Sequence, residues 1–284
     1  MPEYIWGRNP ILETLHSKRQ VKRILFAEGQ REASNLAAIL QEAEHKHIPT
    51  EKVSRTRLDQ LSHGAVHQGC IAVVEARAYA ALDEILAHAA LKHEDPFLLI
   101  LDAIQDVNNL GSLLRTAESV GVHGVILPEH RAAEVNATVI KTSAGATEHL
   151  LIAQETNLTR TIDFLKKQQI WVIGLAGEAK TEYYNANLTG ALALVVGNEG
   201  KGISRLVREH CDLLIKLPMR GHVNSLNAAV ADVSESAFRG CSWSAQPGSA
   251  QWMRVELVSP RAMRTGSASR RRGRVRAAWR RRGC

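Results

Sequence analysis

The sequence has little of what marks membrane or secreted proteins. Its longest apolar run, Ala191 to Val196, is six residues, and a helix that crosses a bilayer needs about 20. Met1 to Pro10 has no apolar stretch of the length a secretory signal uses, so we expect none. Cysteine is scarce: Cys70, Cys211, Cys241 and Cys284 form no C-x-x-C pair. That spacing gives no sign of a metal or redox role, and with no secretory signal expected, reduced thiols in a cytoplasmic protein are the expectation. No metal is expected. Aromatic residues make up only 5% of the chain. Residues 233–284 contain neither Lys nor His.

What is present is unevenly charged. The formal charge is +7, yet residues 1–232 carry −3, from 24 Lys and Arg against 27 acids. Residues 233–284 carry +10, from 12 Arg and 2 acids. A basic chain points to nucleic acid, but here the basic character belongs to the tail. Beyond Asp232 no apolar period persists, and Arg270–Arg272 and Arg280–Arg282 flank Trp279. The segment reads as a disordered basic tail, as an RNA-binding arm, or as translation out of an ancestral frame. The abrupt loss of Lys and His favours the last.

The body reads as α/β in two parts. In residues 1–76, Val21–Ala27, Ile48–Val53 and Cys70–Val74 read as strands. Asn9–His16, Glu32–His45 and Arg55–Leu61 read as helices, the last capped by Ser54. Residues 77–95 read as a linker with a helical turn around Leu82–Leu91. In residues 96–232, strands are expected at Phe97–Leu101, Val122–Leu127, Ile170–Leu175, Leu192–Val196 and Leu213–Leu217. Helices are expected at Leu110–Val120, Asn136–Ser143, Leu158–Gln168 and Ser204–His210, and from near Asn224. Short apolar strands alternating with helices imply a mostly parallel sheet with its ligand site at the strands' C-terminal ends.

Three segments can carry chemistry. Leu101–Thr116 (LDAIQDVNNLGSLLRT) follows a strand and opens a helix. Asn108, Ser112 and Arg115 share one face of it, and Gly111 permits close backbone approach. A capped helix with a solvated arginine fits as well as an anion-gripping guanidinium. Val195–Ser204 (VVGNEGKGIS) has three glycines after a buried strand. It matches neither a Walker loop nor G-x-G-x-x-G, and Glu199 disfavours a phosphate there. A turn that takes an adenosine-like ligand on its backbone is left. In Ile215–Ala231, Pro218 and Gly221 break a strand, and Ser225 or Asn227 opens a helix, either as a cap or as a functional group.

Together these segments resemble the SpoU/TrmH (SPOUT) family of RNA ribose methyltransferases. The resemblance is carried by Asn109-x-Gly111-x-x-x-Arg115, Gly197-Asn-Glu199-Gly200-x-Gly202 and Leu217-Pro218-Met219-x-Gly221-x-x-Ser225-Leu226-Asn227, in family order and spacing. Tyr4–Gly7 and Gly64–Gly69 (GAVHQG) resemble the L30e-like substrate-binding domain of bacterial 23S rRNA guanosine-2′-O-methyltransferases. The resemblance covers roughly residues 2–231. It implies a substrate-binding domain (1–76), a linker (77–95), and a methyltransferase domain (96–232) closed by a C-terminal trefoil knot, an exception to ordinary connection rules. It implies S-adenosylmethionine as cofactor, contacted by Gly197, Leu217 and Leu226, with Gly174–Ala176 as a further candidate. It implies methyl transfer to a ribose 2′-hydroxyl of ribosomal RNA by a homodimer. Arg115 would be the central catalytic residue, with Asn109, Glu199, Ser225 and Asn227 around it.

Three further features bear on that expectation. His63 and His67 have helical metal-ligand spacing, but the intervening Gly64 favours RNA contact or a structural turn. Lys18, Arg19, Lys22 and Arg23 form a basic cluster that fits RNA phosphate or a solvated face. Val107 stands where the family usually has proline, and the segment from Asp232 departs from the amphipathic helix expected there. An RNA-binding protein of methyltransferase ancestry with lost activity, or the same chemistry on transfer RNA, are the rival readings.

Overall fold

Residues 3–29 and 34–217 are described by the computed structural model. The expected helix near Asn224, the knot and the Arg-rich tail lie outside them. The first sheet has four strands: β1 Glu3–Trp6, β2 Val21–Ala27, β3 Thr50–Val53 and β4 Cys70–Val74. Their order is β1-β4-β2-β3. β4 runs antiparallel to β1 and β2, whereas β2 and β3 are parallel. All five residues of β4 are buried, as an unbroken apolar strand requires. The helices are α1 Arg8–His16, α2 Ser34–His45 and α3 Arg55–Leu61. Ser54 caps α3 by accepting from the Arg57 N–H, as its position predicted.

After α4, Leu82–Leu91, comes a seven-stranded sheet. Its strands are β5 Phe97–Asp102, β6 Gly124–Pro128, β7 Ile152–Glu155, β8 Trp171–Leu175, β9 Thr181–Glu182, β10 Leu192–Gly197 and β11 Leu213–Lys216. Every neighbouring pair is parallel, in the order β7-β6-β5-β10-β8-β11-β9. The connecting helices are α5 Val107–Ser119, α6 Ala137–Thr142, α7 Leu158–Lys167 and α8 Arg205–His210. From β5 the chain builds outward through β6 and β7, then places all later strands on the other side of β5. The boundary between β5 and β10 is therefore the switch point, beside which parallel sheets of this kind take their ligands.

The structure differs from the sequence reading at short elements. β1 and β7 were not anticipated, because four residues show too little periodicity. The strand expected from Val122 begins at Gly124. The Val122 N–H is spent closing α5 on the Ala117 carbonyl.

A large buried apolar cluster joins the two sheets, running from Ile5, Ile11 and Leu15 to Leu110, Val139 and Ile140. A polar seam accompanies it. The Glu148 side chain, 1% exposed, takes Arg77 and Arg19, and Arg19 also pairs with Glu3. Burial pushes the Arg77 guanidinium below its ordinary value, with Glu148 opposing the shift. Gly145, at φ +93°, lies against α1, and a Cβ there would meet Glu13 Cβ at 2.7 Å. No helix among the described residues is long and apolar enough to cross a membrane.

Candidate active site at the mouth of the parallel sheet

β5 ends at Asp102, which stands in register with Gly197 at the end of β10. Four residues later Asp106 opens α5. Its carboxylate accepts from the backbone N–H groups of Asn108 and Asn109 at 2.9 and 2.8 Å. This cap starts the helix at Val107 without proline. Gly111 faces α6, and a Cβ there would overlap Thr142 Oγ1. The close approach that Gly111 permits is thus one between helices.

Residues 197–204 leave β10 and fold straight back. The Gly202 N–H donates to the Asn198 carbonyl at 2.7 Å. The returning backbone of Gly202 and Ile203 occupies the space that a Cβ on Gly197 would need. Asn198 Oδ1 accepts from the N–H groups of Gly200 and Lys201. Three hydrogen bonds join this loop to the exit of β5. Asn198 Nδ2 donates to the Ala103 carbonyl at 3.2 Å, the Ser204 N–H donates to Asp102 Oδ2 at 2.6 Å, and Asn109 Nδ2 donates to Glu199 Oε1 at 2.6 Å. Ala103 holds a left-handed φ of 59° between them, a conformation a non-glycine residue keeps only under constraint.

Two of the expected site residues, Asn109 and Glu199, are therefore in direct contact. Arg115 is not with them. It lies six residues further along α5, about 9 Å along the axis and about 120° around it. It is exposed, on the face of Asn108 and Ser112, with no ion-pair partner among the described residues. Gly197 and Leu217 end neighbouring parts of the sheet: β8 lies between β10 and β11, so they stand about two strand spacings apart, ~10 Å. Ser225, Leu226 and Asn227 lie outside the described residues.

Comparison with known proteins places this geometry. Residues 96–233 match the model of the SpoU rRNA Methylase family, and residues 4–80 match that of RNA 2′-O ribose methyltransferase substrate binding. The chain is 44% identical over 229 residues to a putative TrmH family tRNA/rRNA methyltransferase, YacO, of Bacillus subtilis, covering 81% of this chain and 91% of that protein. It belongs to the SpoU family. It is also 42% identical over 232 residues to the 23S rRNA (guanosine-2′-O-)-methyltransferase RlmB of Escherichia coli, covering 81% of this chain and 95% of RlmB. Among solved structures it shares its fold with the SpoU methyltransferase AviRb of Streptomyces viridochromogenes. That match has a TM-score of 0.70 and 24% identity, and covers 84% of this chain and 89% of AviRb.

In this SpoU chain some sequence candidates turn out to be structural. His67 is 4% exposed. Its Nδ1 accepts from the Gly69 N–H at 3.0 Å, so its Nε2–H is the group facing Asp59 at 3.0 Å. The ring thus props the 64–69 loop. No group of three or more metal-ligating side chains occurs among the described residues. Arg19 is committed to Glu3 and Glu148, while Lys22 and Arg23 lie 3.9 and 3.6 Å from Glu75 and Glu51. Sequence reasoning missed Asp102 and Asn198. The available signal was a carboxylate ending an apolar strand, and an Asn directly after the glycine that ends another.

Proposed function

We propose that the chain catalyses S-adenosylmethionine-dependent methylation of the 2′-hydroxyl of a guanosine ribose in 23S ribosomal RNA. The observation that carries this is the Asn109–Glu199 contact at the switch point, in a SpoU chain that is 42% identical to RlmB over nearly all of that enzyme's length. Residues 1–76 would hold the RNA, 77–95 would link, and 96–232 would carry the reaction. A ribosomal RNA substrate puts its place of work in the cytoplasm.

The strand ends suit the cofactor. β8 and β10 end on Leu175 and Gly197 rather than on charged side chains, and the nearby Ala176 and Ala179 are small and apolar, at 8% and 5% exposure. Gly197, Leu217 and Leu226 are the residues that would hold S-adenosylmethionine, which supplies the methyl group when bound. Gly174 also serves packing, since a Cβ there would crowd Leu214 and Ile203 at 2.8 and 2.9 Å.

The reaction needs the hydroxyl aligned and its proton removed. Glu199, with one oxygen engaged by Asn109, would orient the ribose, since Arg115 stands apart from the pair. A free guanidinium holds its proton to above pH ~12, so Arg115 grips RNA phosphate and offsets developing negative charge rather than acting as a base. Ser225 and Asn227 complete the set. The family resemblance adds a homodimer to this reading, and the exposed Asn108–Arg115 face is available to a second copy or to RNA.

The deciding experiment is mass spectrometry of ribosomal RNA from a deletion strain. Loss of one 2′-O-methylguanosine in 23S RNA, restored by the wild-type gene, is the expected result. A missing methyl on transfer RNA would assign the other substrate. RNA binding with no missing methyl anywhere would mark a protein that has lost the activity.

A further inference from the structure

We infer that Asp102 is a positioning residue for the glycine loop: its carboxylate holds the loop's returning limb so that Glu199 meets Asn109. The inference rests on the methyltransferase reading for its consequence but not for its geometry. Asp102 is 6% exposed, an unusual place for a carboxylate. Such a group stays buried only when its hydrogen bonds are strong.

The loop can be held at few points. Its outgoing limb is tied at Asn198, to the Ala103 carbonyl. Its tip carries Glu199. Its returning limb passes over Gly197 so tightly that no Cβ fits beneath it. That limb is then fixed by Ile203, which is buried at 2% exposure, and by the Ser204 N–H on Asp102 Oδ2 at 2.6 Å. Asp102 and Ala103 are consecutive, so one short stretch at the exit of β5 fixes both limbs. Ser204 also precedes the first residue of α8. Losing the Asp102 bond frees the limb next to α8 and lets the tip drift from Asn109. The backbone that Gly197 contributes to the mouth would move with it.

The test compares the full-length wild type with Asp102→Ala, Asp102→Asn and the remote control Thr14→Val. Thr14 is buried in α1, where its hydroxyl bonds to the Pro10 carbonyl, far along the chain from the loop. Two quantities are read: hydrogen exchange at the Ser204 amide, and the Kd for S-adenosylmethionine by calorimetry. Asp102→Ala is expected to speed Ser204 exchange at least tenfold and to raise Kd on the order of tenfold. Asp102→Asn, whose amide oxygen still accepts the N–H, should stay within about threefold of wild type in both. Thr14→Val should lower Tm and leave both unchanged. Wild-type exchange and Kd in Asp102→Ala would overturn the inference. So would an Asp102→Asn variant as impaired as Asp102→Ala, because charge rather than the hydrogen bond would then be acting. If Asp102→Ala does not fold, Ser204→Pro deletes the donor of the same bond at a residue whose φ of −59° suits proline, and is read by Kd alone: a rise on the order of tenfold is expected, and a wild-type Kd would overturn the inference. If the wild type binds no cofactor, the methyltransferase reading fails while Ser204 exchange still decides the role of Asp102.

Discussion

Asn109 and Glu199, 90 residues apart in the chain, meet through an Nδ2–H···Oε1 hydrogen bond of 2.6 Å. The bond joins the first turn of α5 to the tip of the glycine loop, so it sets the distance between two of the three motif segments. A hydrogen bond to a charged acceptor is worth ~1.5–3 kcal/mol, or roughly 10–100-fold in rate if it is made in the transition state. Asn109→Ala should lower methyl transfer to unmodified 23S RNA within that range. Asn109→Asp should fall further, since it sets two carboxylates face to face. Its deficit should shrink as pH is lowered toward 5, where one carboxyl regains a proton it can donate. A tritium-transfer assay across pH checks both, and a flat profile for Asn109→Asp would remove the bond from the mechanism.

Arg115 separates from that pair, and its exposure makes a clean prediction. Because it has no ion-pair partner among the described residues, Arg115→Ala and Arg115→Lys should leave Tm within about 1 °C of wild type. Turnover should nevertheless drop roughly 100-fold or more in both, because a lysine cannot reproduce a planar, two-pronged grip on phosphate. Near-normal turnover of Arg115→Lys would show that charge alone suffices.

How far the sequence could be read depended on whether a signal was local. The long apolar strands β4, β5 and β10 and the cap Ser54 were legible because each is decided by neighbouring residues. Asn109 and Glu199 were brought into one candidate site only through the motif, since 90 residues of chain separate them. Asp102 was illegible: a carboxylate ending an apolar run reads as the start of a loop. Its burial exists only once Ser204 folds back over β5. Arg19 failed in the opposite sense. Among four basic residues it fitted a phosphate contact or a solvated face, yet Glu148, 129 residues away, claims it.

Gly197 and Gly200 share a motif but should differ sharply on substitution. A Cβ on Gly197 would overlap the backbone of Gly202 and Ile203, which cannot step aside without opening the loop. Gly197→Ala should therefore cost ~1–3 kcal/mol in urea unfolding and abolish most activity. At Gly200 the nearest atom to a Cβ is Asn198 Oδ1 at 3.6 Å. Gly200→Ala should be neutral in stability and within about threefold in rate. Equal damage from both would mean that the loop's flexibility, not its close packing, is what the glycines serve.

Cys70 gives the pH signature of the first sheet. Burial pushes its thiol up from 9.0 to about 12, with Arg8 and the Gly7 backbone pulling back only partly. In the unfolded chain the thiol ionises near its ordinary value, so between pH 9 and 12 the folded state holds a proton that the unfolded state has lost. Stability should thus be complete below pH 9 and fall as pH rises through this window. Cys70→Ala, which removes the titration, should flatten that limb of the urea midpoint–pH curve, although its baseline drops through lost packing. An unchanged slope in Cys70→Ala would assign the alkaline loss to other groups.

Glu148 is the most exacting test of the seam between the two sheets. Its carboxylate is buried at 1% exposure and holds Arg77 and Arg19, which are themselves 11% and 10% exposed. Removing one member of a buried ionic cluster leaves charge stranded, which typically costs ~3–5 kcal/mol, whereas replacing both partners by apolar groups is often nearly neutral. Glu148→Met alone should therefore destabilise strongly. Arg77→Met with Glu148→Met should recover more than half of that loss, because Arg19 keeps Glu3 as its partner. The recovery should fall short of complete, since the Thr147 carbonyl loses its Arg77 donor in the double variant. Urea unfolding of the two single variants and the double variant closes the cycle. Additive losses would show that Glu148 and Arg77 act separately.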